Sequence, residues 1–109
     1  MIFWAFAKVE IDSGMQVLAG YKIGGTWGMV GSTYTMNIWG LVATENAEGL
    51  GALTDQLVGQ AEAAGASDIS VTGSLVTRQG LLNQSYVESY GWTFQQIDAN
   101  TINLTMKIN

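Results

Sequence analysis

The chain reads as an α+β domain: a mixed, mainly antiparallel sheet of β-hairpins carrying one long amphipathic helix and a second, short one. Three observations predict this. Apolar residues between Leu50 and Ala64 recur at three- and four-residue spacing, the segments Ile69–Thr72 and Thr101–Ile108 alternate apolar with polar, and glycine-containing turn sequences separate the runs. At 109 residues the chain holds one core, so residues 1–109 form a single domain.

Phe3 to Ile11 is rich in aromatic and β-branched residues and reads as a strand. Asp12-Ser13-Gly14 supplies turn chemistry, and Met15 to Ile23 then returns as the second arm of a hairpin. The glycine-dense stretch Gly24–Ser32 reads as a loop, with Trp27 either tucked beneath it or exposed for binding. Thr33 to Thr44 is a strand in which Gly40 marks a bulge or a close backbone approach. Leu50, Leu53, Leu57, Val58, Ala61 and Ala64 make the apolar stripe of the long helix, and Gly65 offers a left-handed stop. A strand at Ile69–Thr72 completes a βαβ unit, which predicts a right-handed crossover and a parallel or near-parallel strand pair. Leu81 to Tyr90 is a shorter helix closed by Gly91. Trp92 to Ile97, a turn at Asp98-Ala99-Asn100, and Thr101 to Ile108 form a closing hairpin that sends Ile102, Leu104, Met106 and Ile108 to one face. The resulting order is β-β-β-α-β-α-β-β.

Composition narrows the chemistry. There is no cysteine, which excludes a disulfide framework, a thiolate zinc site and a cysteine nucleophile. There is no histidine, which removes the usual neutral-pH base and the histidine of a Ser-His-Asp triad. Asp12, Asp68 and Asp98 stand singly at turns without the spacing of a calcium loop, so no metal is expected. Four basic residues against nine carboxylates argue against nucleic acid as a partner. No apolar run approaches the roughly 20 residues of a membrane span. Met1–Ala7 has no basic flank and runs straight into a strand pattern, so it reads as structure rather than as a signal peptide. A cytoplasmic protein is expected, or a secreted one if the domain is an effector module.

This order of elements, with Asn46-Ala47-Glu48-Gly49-Leu50-Gly51 where a strand enters the main helix and Tyr90-Gly91-Trp92 after the short helix, resembles the later and larger part of the GNAT acetyltransferase fold. The resemblance covers residues 3 to 108 and lacks the first strand and helices that open a complete GNAT domain. It implies that Asn46, Gly49 and Gly51 belong to a turn whose amides hold the pyrophosphate of acetyl-CoA, although Asn46 stands where the family carries Gln or Arg. The physical basis is that a helix N-terminus presents unpaired amides and partial positive charge, and missing side chains let a phosphate approach. A second reading of the same turn has Asn46 capping the helix and Glu48 in its first turn. The family's tyrosine that protonates the departing thiolate falls on Val87, with Tyr86 one place away as the candidate acid. Glu10 and Glu45 are the candidate bases in the absence of histidine. Asn37–Leu41, Ala64–Ser67 and Asn100–Ile102 show a looser similarity to the C-terminal toxin modules of bacterial RHS proteins.

Two functional classes follow. One is a GNAT-like acyl-coenzyme A binding domain, an N-acyltransferase or a degenerate relative of one. The other is a noncatalytic interaction module, such as an effector, toxin module or inhibitor, that binds a protein partner through exposed aromatics and an acidic face. Pairing of edge strands into a homo-oligomer is expected under either, because an open sheet leaves edges that need cover.

Overall fold

The computed structural model describes residues 10–74 and 84–108. Its strands are β1 (Glu10–Leu18), β2 (Tyr21–Val30), β3 (Thr33–Ala43), β4 (Asp68–Ser74), β5 (Thr93–Asp98) and β6 (Thr101–Lys107); its helices are α1 (Leu50–Ala63), between β3 and β4, and α2 (Gln84–Glu88), between β4 and β5. This is the expected order. The strands form a single sheet in the order β1-β2-β3-β4-β6-β5, antiparallel throughout except for the β3–β4 pair. α1 is the crossover that makes that pair parallel, as the strand–helix–strand pattern predicts.

Two expectations for the first third of the chain are corrected. Asp12-Ser13-Gly14 is not a turn but lies within β1, opposite Trp27, Thr26 and Gly25. The reversal comes instead at Ala19-Gly20, where both residues have positive φ, 52° and 81°, and Leu18 and Tyr21 flank them as a pair. Positive φ at both central residues is the geometry of a two-residue hairpin turn whose twist suits its strands. Gly24–Ser32 is likewise no loop: β2 runs through it to Val30, and only Gly31 and Ser32 make the turn into β3. Trp27 is therefore a strand residue, half-buried against the core. The expected strand over residues 3–9 and the start of the second helix at 81–83 lie outside the described residues.

The irregularity expected at Gly40 is present. Gly24 pairs with Gly40 and Gly25 with Ile38, which leaves Trp39 as the extra residue of a bulge in β3. Gly25 is required there, since a Cβ on it would lie 2.0 Å from the Asn37 carbonyl oxygen.

One face of the sheet carries the core. Ile23, Met36, Ile69 and Ile102 are almost fully buried beneath Leu50, Leu53, Leu57 and Ala61 of α1 and Val87 of α2. Trp92 closes one side, its indole N–H donating to the buried Thr54 hydroxyl at 2.9 Å. α1 ends at a glycine, as expected: Gly65 adopts φ 84°, its amide bonds the Glu62 carbonyl, and the Ala66 amide bonds the Ala61 carbonyl. That pair of bonds is a Schellman motif. Both helices pack on this face, and the opposite face of the sheet has no helix on it among the described residues.

Candidate functional site

The site is built where the end of β3, the start of α1 and the end of α2 meet. β3 continues to Ala43, whereas its ladder with β4 stops at Ile38↔Gly73. Among the described residues no strand pairs with Trp39–Ala43 on the β4 side, so the two parallel strands leave an open backbone edge leading to the α1 N-terminus.

The connection from β3 to α1 is fixed by the first hairpin. The Thr44 amide and hydroxyl both donate to the Gly20 carbonyl, at 3.0 and 2.7 Å, and the Glu48 amide donates to the Ala19 carbonyl at 2.9 Å. Gly20 lies so close to this loop that a Cβ on it would stand 2.2 Å from the Asn46 carbonyl oxygen. The Asn46 amide turns inward to the Thr44 hydroxyl, at 3.1 Å. Glu45, Asn46 and Glu48 are exposed.

The N-cap of α1 is Gly49, at φ 97°, and no side chain caps the helix. Asn46 is thus not a cap, and Glu48 precedes the helix rather than occupying its first turn, which contains no acidic residue. The first helical bond runs from the Leu53 amide to the Gly49 carbonyl, leaving the amides before Leu53 without an intrahelical acceptor. Nothing lies within 4 Å of the position a Cβ would take on Gly49. Gly51 differs: a Cβ there would meet the Tyr90 ring at 2.9 Å, so this glycine makes room for an aromatic side chain.

Tyr90 was not among the residues the sequence singled out for a role. Its signal is the four-residue spacing from Tyr86, which puts two phenols on one side of a helical turn. Their rings meet edge to face, 5.5 Å apart at an interplanar angle of 82°. A side-chain hydrogen bond with Tyr90 and the Tyr90 charge, with smaller contributions from burial and from Tyr21, raise the Tyr86 phenol above its ordinary pKa. Tyr86 is solvent-exposed, while Val87 is fully buried in the core and contributes packing alone. Tyr86 is thus linked through Tyr90 to Gly51, and Glu45 stands in the loop before Gly49. Glu10 is not brought to this site. It opens β1 opposite Met29, at the far end of the strand from the Leu18–Tyr21 turn that holds the loop.

The chain is similar over 99% of its length to a crystal structure of an acetyltransferase from Bacillus cereus, of which it covers 80%, with a TM-score of 0.57 and 12% sequence identity. It is also similar, over 83% of its length and 71% of the other chain, to a structure from Desulfovibrio desulfuricans provisionally assigned to the GNAT acetyltransferase family, with a TM-score of 0.53 and 13% identity. The fold is GNAT-like. At this identity the likeness concerns the GNAT-like architecture alone and carries no residue roles. No protein-family model matches the chain, and no curated protein matches it.

The glycine turn leads directly into α1, with Gly49 at its N-cap and Gly51 in its first turn. Among the described residues no three carboxylates gather into a group able to hold a metal ion, and no helix is long and apolar enough to cross a membrane.

Proposed function

We propose that this is an acyl-coenzyme A binding domain of GNAT-like fold, with N-acyl transfer as the associated reaction. The observation that carries the reading is the α1 N-terminus, where Gly49 is open, no side chain caps the helix and several amides lack intrahelical acceptors. These features suit a pyrophosphate. The β3 edge beyond Ile38, which pairs with no strand on the β4 side among the described residues, suits the amide-bearing arm of the coenzyme, which can bond to it as an added strand would. Gly51 holds Tyr90 in place beside the turn rather than admitting the ligand itself.

In acyl transfer the thioester C–S bond breaks as a C–N bond forms to the acceptor amine. The amine gives up a proton and the departing thiolate takes one. Tyr86, a phenol protonated at neutral pH as tyrosines ordinarily are and joined to the turn through Tyr90, is the candidate donor, and Glu45, exposed in the loop before Gly49, is the candidate carboxylate to take the amine's proton through water. Glu10 has no part in this scheme.

Glu45 and Glu48 stand exposed beside the proposed phosphate position, and both oppose an anion. Calorimetry with acetyl-CoA should therefore give weak, salt-sensitive binding. Glu48→Gln should tighten it by roughly two- to five-fold, the usual scale for one charge near a helix terminus. No heat at millimolar ligand for either the native protein or the variant would refute the reading.

A further inference from the structure

The face of the sheet opposite the helices carries hydroxyl and amide side chains over β4 and β6, where Asn103 bonds Ser70 and Thr72, but an apolar cluster of Met15, Val17, Trp39 and Val42 over β1, β2 and β3. Within the cluster, Gly24 brings two side chains together. Met15 is its register partner in β1, and the bulge in β3 turns Trp39 onto the same side. The Met15 sulfur and the Trp39 indole nitrogen lie 2.8 and 3.0 Å from where a Gly24 Cβ would be, so both use the space that the missing side chain leaves. Met15 and Trp39 are each 65% exposed. The other described methionines are sheltered: Met36 is fully buried, and Met29 and Met106 are half-buried against the core. Among the described residues the Trp39 indole N–H makes no hydrogen bond, in contrast to that of Trp92, which donates to Thr54.

We infer that Met15 is a modification site, oxidised to the sulfoxide by peroxide ahead of Met29, Met36 and Met106, and that the Trp39 indole N–H holds the sulfoxide oxygen over Gly24. In the step itself a sulfur lone pair attacks one oxygen of hydrogen peroxide. The S–O bond forms as the O–O bond breaks, and the second oxygen leaves as water after taking up a proton. Sulfur loses two electrons and peroxide gains them. Reaction at Met15 first follows from access, which governs methionine oxidation where the sulfurs are otherwise alike. The second half of the inference follows from hydrogen-bonding capacity. A thioether is a weak acceptor and an indole N–H can only donate, so the two gain little from their proximity in the reduced protein. The sulfoxide oxygen carries much of the negative charge of the S–O bond, and it enters the space beside a donor that is not hydrogen-bonded among the described residues. Oxidation thus places a polar group within the apolar cluster and fixes the indole against the sheet. Met15 lies outside the core, so the oxidised chain stays folded. None of this depends on the coenzyme reading.

The test treats the full chain with hydrogen peroxide and follows it by peptide mass mapping and by the indole N–H signals in NMR, with the Trp39 signal assigned through its loss in Trp39→Phe. The peptide holding Met15 should gain one oxygen atom before those holding Met29, Met36 and Met106. As it does so, the Trp39 indole N–H should shift downfield and exchange more slowly with solvent, and Met15→Leu should abolish that shift. Gly24→Ala isolates the geometry. Its Cβ displaces only the flexible ends of Met15 and Trp39, and Gly24 is not in the left-handed region, so the variant folds. In it Met15 should still be oxidised first, but the Trp39 shift should be lost. Oxidation of Met29, Met36 or Met106 as fast as Met15, a Trp39 signal unmoved in the Met15 sulfoxide, or an equal shift in Gly24→Ala would overturn the inference.

Discussion

Gly25 illustrates how one absent methyl group shapes this molecule. It sits where β2 faces the β3 bulge, and a Cβ would press to 2.0 Å from the backbone oxygen of Asn37, an atom that cannot swing aside. Gly25→Ala should therefore cost about 3 kcal/mol or more, at the upper end of overpacking effects; chemical denaturation would measure it, and a loss near zero would mean that the bulge is misplaced. Tyr86 gives a second residue-scale prediction, in its pH behaviour. Its phenol is raised in the folded protein, mainly through Tyr90, so the folded state holds this proton more tightly than the unfolded state does. The associated stability is present below the ordinary tyrosine value of about 10 and disappears as pH rises through the folded value. An NMR titration of the ring carbons should place Tyr86 above an ordinary tyrosine, and Tyr90→Phe should bring it down. An unchanged midpoint in the variant would remove Tyr90 as the cause.

At the scale of elements, α1 depends on the sheet more than on its own ends. It has no side-chain cap, no acidic residue in its first turn and no basic residue in its last. Its stability comes from the buried stripe, where Leu53 and Leu57 are 6% and 5% exposed. Leu53→Ala and Leu57→Ala should each cost about 2 to 5 kcal/mol, and a melting temperature unmoved by either would show that another face of the helix is buried. This stripe was legible in the sequence because helical period and burial coincide there. The alternation of β6 was legible for the same reason: Ile102 and Leu104 are buried, and Met106 and Ile108 pack partly against the core. The first hairpin was not. Asp12-Ser13-Gly14 has the composition of a turn but is held extended by pairing with β2, whereas the true turn puts Ala19 at positive φ, a conformation its residue type does not advertise. Gly24 and Gly25 misled in a similar way, since they serve close packing within a strand rather than a loop.

At the scale of the whole molecule, the sheet separates two kinds of surface. One face carries both helices and the core; the other carries hydroxyl and amide side chains, with the apolar cluster around Trp39 at one corner. The candidate site lies at neither face but at the sheet's end, where the first hairpin, the β3–α1 loop and α2 converge. The turn into α1 was readable from Gly49 and Gly51, yet their different surroundings were not, because only the three-dimensional arrangement shows Gly49 open and Gly51 beneath Tyr90. The central claim is that the amides opening α1 receive the coenzyme pyrophosphate, and an amide NMR titration of the labelled protein with coenzyme A tests it most directly. The account predicts saturable shifts concentrated at Gly49, Leu50, Gly51 and Ala52, accompanied by smaller ones along Trp39–Ala43. Unmoved amides in that turn at millimolar coenzyme, or shifts confined to another part of the sheet, would contradict it.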